Sequence, residues 1–140
     1  MEKKALVFGA GGFIGSHMVK RLKKENYFVV GADIKNPEFE ESYADEFHLV
    51  NLTDKENIEK ILKLQNYNEI YQYAADMGGA GFIFSGENDA DIMHNSSIIN
   101  LNLLRTVVEN YEKDFPKIFY SSSACIYPEE IQEVPDNKGL

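Results

Sequence analysis

The sequence predicts an α/β fold in which strands and helices alternate around a parallel sheet. Three observations predict it. Short continuous apolar runs recur between amphipathic stretches. A glycine-rich turn, Gly9-Ala10-Gly11-Gly12-Phe13-Ile14-Gly15, follows the first of these runs directly. An acid, Asp33, closes the second. Alternation with short connections implies parallel strands joined by right-handed crossovers. Residue pattern alone does not fix strand order. Once the first turn is taken as a nucleotide site, a three-layer, Rossmann-like, doubly wound sheet of about five strands in the order 3-2-1-4-5 is expected.

Each element has its own signal. Residues 5–8 form an apolar run bounded by glycine, the pattern of a strand buried on both faces. Residues 12–25 read as a helix, with Ile14, Met18 and Leu22 repeating every four positions. The second strand spans 27–32, an acidic loop spans 37–46, and a short third strand spans 47–50. Thr53-Asp54-Lys55-Glu56 has capping-box spacing. The helix it would start carries Ile58, Ile61 and Leu62 on one face. The fourth strand is expected over 69–74, followed by a glycine-rich loop over 77–86. The longest helix runs from residue 89 or 90 to about 111. Its apolar residues include Ile92, Ile99, Leu103 and Val107, but also Ile98, Leu101, Leu104 and Val108. That stripe is wider than one buried face requires. A fifth strand spans 117–121. The tail, 128–140, carries Pro135, Asn137 and Gly139 and reads as loop.

Composition narrows the functional classes. The 140 residues suit one domain, 1–140, able to bury a core. A net charge of −9 disfavours nonspecific nucleic-acid binding, which needs cations to displace counterions. It leaves room for an anionic small ligand, since helix-terminal amides bind phosphate locally. The single cysteine excludes an intramolecular disulfide and suits a reducing compartment. The opening residues have too short an apolar run for a signal peptide, and no stretch approaches the roughly 20 apolar residues that span a bilayer. A cytoplasmic protein without membrane partners is expected. His17, His48 and His94 have no metal-ligand spacing, so no metal is expected.

Gly9, Gly12 and Gly15 are spaced G-x-x-G-x-x-G, with Gly11 as a fourth glycine. Such glycines permit a tight strand-to-helix turn, close approach of backbone to a pyrophosphate, and close helix–strand packing. The helix start then offers free N–H groups and a partial positive charge to the phosphates. Asp33 lies 18 residues after Gly15, near the roughly 20 expected of a ribose-binding acid. It would accept from both adenosine ribose hydroxyls and repel a 2′-phosphate, which favours NAD over NADP. Lys35 weakens that preference slightly. The plain alternative is a structural turn with a solvated acid.

The chain resembles the N-terminal part of the extended short-chain dehydrogenase/reductase (NAD-dependent epimerase/dehydratase) family, most closely its GDP-mannose 3,5-epimerase branch. The resemblance rests on Gly9-Ala10-Gly11-Gly12-Phe13-Ile14, Asp45-Glu46-Phe47-His48-Leu49-Val50, Ala74-Ala75-Asp76-Met77-Gly78-Gly79 with Gly81-Phe82-Ile83, and residues 120–129. It implies that Gly9, Gly12, Gly15 and Asp33, with Phe13 and Ile14 of the same turn, hold NAD. Asn51 and Leu52 stand where the family has Asp-Leu beside adenine. Ala74 and Ala75 would line the cofactor channel, Asn95 would lie near the cofactor, and Ser121 near the nicotinamide. Gly78 would approach the sugar.

The resemblance also implies chemistry. Ser123 would hydrogen-bond the hexose hydroxyl being oxidised, and Cys125 would move protons at carbon. In the family, transient C4 oxidation acidifies the C3 and C5 protons, and hydride return restores the alcohol. The implied substrate is a nucleotide sugar, a GDP-hexose by resemblance. The family's Tyr-x-x-x-Lys pair is missing, since no tyrosine here has lysine four residues later. The C-terminal substrate-binding part is missing too. The chain is therefore expected to be incomplete and inactive alone. It is also expected to self-associate through the long helix at about 90–111, which forms a dimer interface in the family. GDP-fucose synthase-like enzymes are the nearest alternative, and Asp33 and Asp76 argue against them. Sugar-nucleotide dehydratases and C4-epimerases usually lack the cysteine. A stand-alone nucleotide-binding module is the non-enzymatic alternative.

Overall fold

Strand β1 (Lys4–Phe8) is fully buried from Ala5 onward, because it lies between two strands and beneath helices on both faces. The structure, a computed structural model, describes residues 2–78, 80–123 and 126–128, apart from the side chains of Ala80 and Phe84. The remaining elements are α1 (Phe13–Lys24), β2 (Phe28–Asp33), β3 (Glu46–Leu49), α2 (Lys55–Leu62), β4 (Glu69–Gln72), α3 (Ala80–Phe84), α4 (Asp89–Asn110) and β5 (Lys117–Tyr120). The strands form one parallel sheet in the order β3-β2-β1-β4-β5, as the sequence predicts. The chain reverses direction of travel between β1 and β4, which opens a crevice at their C-terminal ends.

The continuous apolar run of β1 serves two cores. Leu6 and Phe8, with Val30, Ala32 and Ile70, pack under Ile58, Ile61 and Leu62 of α2 and Ile99, Leu103 and Val107 of α4. Ala5, Val7 and Val29 pack on the opposite face against Val19 and Leu22 of α1. Alternate side chains of a strand point to opposite faces, so a strand covered on both sides must be apolar throughout.

Several local expectations are corrected. The buried face of α1 is Gly15, Val19 and Leu22, not the Ile14-Met18-Leu22 stripe. Gly15 draws the helix against the first turn, and this rotates Ile14 outward to 59% exposure. The cap of α2 is Asp54 rather than Thr53: its Oδ1 accepts from Glu56 N–H at 2.9 Å. The Thr53 hydroxyl donates instead to Asn51 Oδ1. Strand β4 ends at Gln72, two residues early. The glycine-rich stretch contains a short helix, α3, where a plain loop was expected. The region beyond Pro128 lies outside the described residues.

The acidic loop is tied down at its end. Asp45 Oδ2 accepts from Val29 N–H at 2.7 Å and from Lys23 Nζ at 2.7 Å. Burial pushes the Asp45 pKa up, but the Lys23 ammonium and the Val29 amide outweigh burial and hold it below the ordinary carboxylate range.

Candidate functional site

The first turn is shaped by contacts that leave no room for side chains. Gly9 adopts φ +79° and donates its N–H to Ala32 O at 2.9 Å. A Cβ on Gly9 would lie 2.8 Å from Ala74 N and from Tyr73 C, so the turn abuts the chain leaving β4. A Cβ on Gly15 would lie 2.0 Å from Gly9 O. Gly12 N–H donates to Gly9 O at 3.0 Å, and Gly12 caps α1 without a side-chain hydrogen bond. Helix α1 therefore starts with first-turn N–H groups that no side chain caps, beside a backbone-only surface.

Gly11 has a part that its spacing did not reveal. Its N–H donates to Asp33 Oδ2 at 2.8 Å, and a Cβ there would lie 2.0 Å from Lys35 O. Asp33, 8% exposed at the end of β2, accepts a second bond from Lys35 N–H at 3.1 Å. A carboxylate has about four lone-pair sites, so two remain for an outside donor.

These features border one cleft of about 850 Å³ at the C-terminal ends of the strands. The first turn contributes Gly9, Gly12, Phe13, Ile14 and Gly15. The end of β2 contributes Asp33, and the loop after β3 contributes Asn51 and Leu52. The segment after β4 contributes Ala74, Ala75 and Gly78. Asn95 enters from α4 and Ser121 from the end of β5. The sequence-predicted cofactor residues, and Gly78, thus share one concavity. Ser123 is described and exposed, two residues beyond Ser121, but does not line the cleft. Cys125 lies outside the described residues.

The Oδ1 of Asn51, which the resemblance places beside adenine, accepts from both Thr53 N–H (3.0 Å) and Thr53 Oγ1–H (2.8 Å). Both lone pairs are engaged in bracing the loop.

Sequence reasoning missed Gln72, which is 2% exposed. Its Nε2 donates to Ala74 O at 2.9 Å and to Asn100 Oδ1 at 2.8 Å, and its Oε1 accepts from Ala74 N–H at 3.2 Å. One side chain thus fixes the Ala74 backbone and ties it to α4. Asp76 is held nearby: its N–H donates to Ser96 Oγ at 3.1 Å, and its Oδ2 accepts from Asn95 Nδ2 at 2.8 Å. Tyr73, also on the cleft wall, has its pKa raised by burial. It is a neutral donor at ordinary pH, not a base. Among the described residues no cluster of acids, histidines or cysteines could hold a metal, and no helix is long and apolar enough to cross a membrane.

The doubly wound sheet, the uncapped helix start over glycine backbone and the acid at the end of β2 are the features of a Rossmann-type fold. The chain belongs to the NAD dependent epimerase/dehydratase family, whose match spans residues 5–140. It is 44% identical over 139 residues to GDP-mannose 3,5-epimerase of Arabidopsis thaliana, covering 98% of this chain and 35% of that protein. It is 27% identical to UDP-glucose 4-epimerase 2 of the same plant, covering 94% of this chain and 40% of the relative. A crystal structure of UDP-glucose 4-epimerase superposes with a TM-score of 0.75 at 28% identity, over 91% of this chain and 37% of that one. The Thermus thermophilus UDP-glucose 4-epimerase in complex with NAD superposes with a TM-score of 0.63 at 26% identity, over 76% of this chain and 34% of that one. The chain spans between about a third and two fifths of the length of these relatives.

Proposed function

We propose that this chain is the NAD-binding portion of a nucleotide-sugar epimerase of the GDP-mannose 3,5-epimerase kind. The observation that carries the reading is the cradle itself: an uncapped α1 start beside Gly9, Gly12 and Gly15, with the Asp33 carboxylate fixed at its edge by Gly11 N–H. Bound NAD would supply reversible hydride acceptance, so that a sugar carbinol is oxidised and later restored without net consumption of cofactor.

The chain's own residues bind and orient. First-turn amides of α1 hold the diphosphate, and the two free acceptor sites of Asp33 take the adenosine ribose hydroxyls. Ala74 and Ala75, braced by Gln72, form the wall along which the second nucleoside lies. Ser121 stands at the nicotinamide end. Ser123 is the candidate partner for the sugar hydroxyl, and Cys125 the candidate proton carrier at carbon. With no Tyr-x-x-x-Lys pair, the 140-residue chain binds NAD without turning over a nucleotide sugar.

Titration calorimetry with NAD and NADP tests the cofactor assignment. The unmutated chain is expected to bind NAD more tightly. In Asp33→Ala the NAD/NADP affinity ratio is expected to fall about tenfold or more toward unity, since the hydroxyl acceptor and the charge opposing a 2′-phosphate are both gone. The ratio is the readout because the variant also frees Gly11 N–H and loses stability. A ratio that does not move would remove Asp33 from the ribose site.

Self-association belongs to the same proposal. Helix α4 buries Ile99, Leu103 and Val107 but leaves Met93, Leu101, Leu104 and Val108 more than half exposed along one side. An exposed apolar stripe of this kind, interrupted by Ser97, favours burial against a second surface. Sedimentation velocity at micromolar concentration is expected to show dimers or larger species, and a monodisperse monomer would contradict the proposed interface.

A further inference from the structure

The two ends of the cleft differ in charge. At the β2 end Asp33 is accompanied by Lys35, whereas beyond β4 Asp76 is the charged side chain among the described lining residues. Its place is built. The main chain is anchored by Ser96 Oγ, and Asn95 Nδ2 holds one carboxylate oxygen at 2.8 Å. Asn95 is itself oriented through its Oδ1, which lies 3.1 Å from His94 Nδ1. An amide oxygen can only accept, so that nitrogen carries the proton in this contact. Asn95 and Ser96 are neutral. Among the described residues no lysine or arginine forms an ion pair with Asp76. The carboxylate therefore presents its charge to the cleft while being kept from swinging away.

A dinucleotide with its adenosine at Asp33 and its diphosphate on α1 carries its second nucleoside to the β4 side of the crevice. That half contains the ring whose charge changes. Nicotinamide is cationic when oxidised and neutral after accepting hydride. A fixed anion nearby acts on one state and not the other. Resting on the reading of the cleft as an NAD site, we propose that Asp76 is a specificity-determining residue for the redox state of the dinucleotide, favouring the oxidised form.

The consequence for the proposed chemistry follows from linkage. Whatever factor favours the oxidised form also opposes hydride uptake from the sugar and favours its return. The oxidised sugar is then kept as a minor species. The cleft is open and Asp76 is only half-buried, so screening keeps the effect small: about two- to fivefold in relative affinity at low salt.

The experiment measures dissociation constants of NAD+, NADH and ADP-ribose for the full 140-residue chain and for Asp76→Asn and Asp76→Glu. ADP-ribose carries the adenosine and diphosphate but no nicotinamide. In Asp76→Asn the ratio Kd(NAD+)/Kd(NADH) is expected to rise about two- to fivefold at low salt, with ADP-ribose binding unchanged. Asp76→Glu is expected to keep the unmutated ratio, and the difference between the unmutated chain and Asp76→Asn is expected to shrink as salt is raised. An unchanged ratio in Asp76→Asn, with all three ligands bound, would overturn the role of Asp76 alone. An ADP-ribose affinity that moves as much as that of NAD+ would do the same, because the residue would then be acting on the whole site. If neither ADP-ribose nor NAD+ binds the unmutated chain, the cleft assignment fails and the proposal falls with it.

Discussion

Gly15→Ala is expected to abolish measurable NAD binding and to destabilise the protein by about 2–4 kcal/mol, the range of severe overpacking against rigid neighbours. The added methyl would lie 2.0 Å from Gly9 O and 2.6 Å from Gly9 C, both backbone atoms. Gly9 cannot retreat. Its φ is +79°, its N–H is bonded to Ala32 O, and Ala74 N blocks the other side. The remaining relaxation is for α1 to lift from the turn, which moves the helix start away from the position proposed for the diphosphate. Gly81→Ala is the matched control, because a methyl there meets nothing within 4 Å. Urea unfolding and NAD titration of both variants check this. Native stability and affinity in Gly15→Ala would show that the helix is not seated on the turn.

Tyr67→Ala is expected to cost about 3–5 kcal/mol, the range for removing a fully buried aromatic ring. Tyr67 is 2% exposed and belongs to the core shared by α2, β4 and α4. Its hydroxyl donates to Ile61 O at 3.0 Å, and its backbone N–H donates to Tyr111 Oη at 3.2 Å. Single domains are stable by about 5–15 kcal/mol, so a loss of this size leaves little margin. Tyr67→Phe isolates the hydroxyl: it keeps the ring and leaves the Ile61 carbonyl without that donor, for about 1–2 kcal/mol. Chemical denaturation of the pair measures both contributions. A Tyr67→Ala variant within 1 kcal/mol of the parent on the scale of such core deletions would mean that the α2–α4 layer can collapse around the space.

What the sequence revealed follows the range of the interactions involved. Strand order became legible only once the glycine turn and the acid at the end of β2, both local signals, were taken together as a nucleotide site of the doubly wound kind. The two-sided burial of β1 was legible because a strand covered on both faces has no polar positions. Gly11 was counted only as an extra glycine, because its necessity comes from Lys35 O, distant in sequence and adjacent in space. The first two positions of the α1 stripe were misplaced by one residue because periodicity cannot sense that Gly15 seats the helix on a turn. The capping-box spacing from Thr53 to Glu56 pointed to Thr53 as the cap. The choice was made by Asn51, which takes the threonine hydroxyl and leaves the aspartate to the helix. Gln72 gave no signal at all, since its partner Asn100 lies 28 residues away on another element.

Gln72 has a bearing on how the cleft meets its ligand. Its three bonds join Ala74 to Asn100 entirely within the protein. The main chain at Ala74, along which a second nucleoside would run, is thereby pinned at both its N–H and its carbonyl. Little backbone freedom remains there for an incoming molecule to quench, so contact energy on that side converts into affinity with a small entropic deduction.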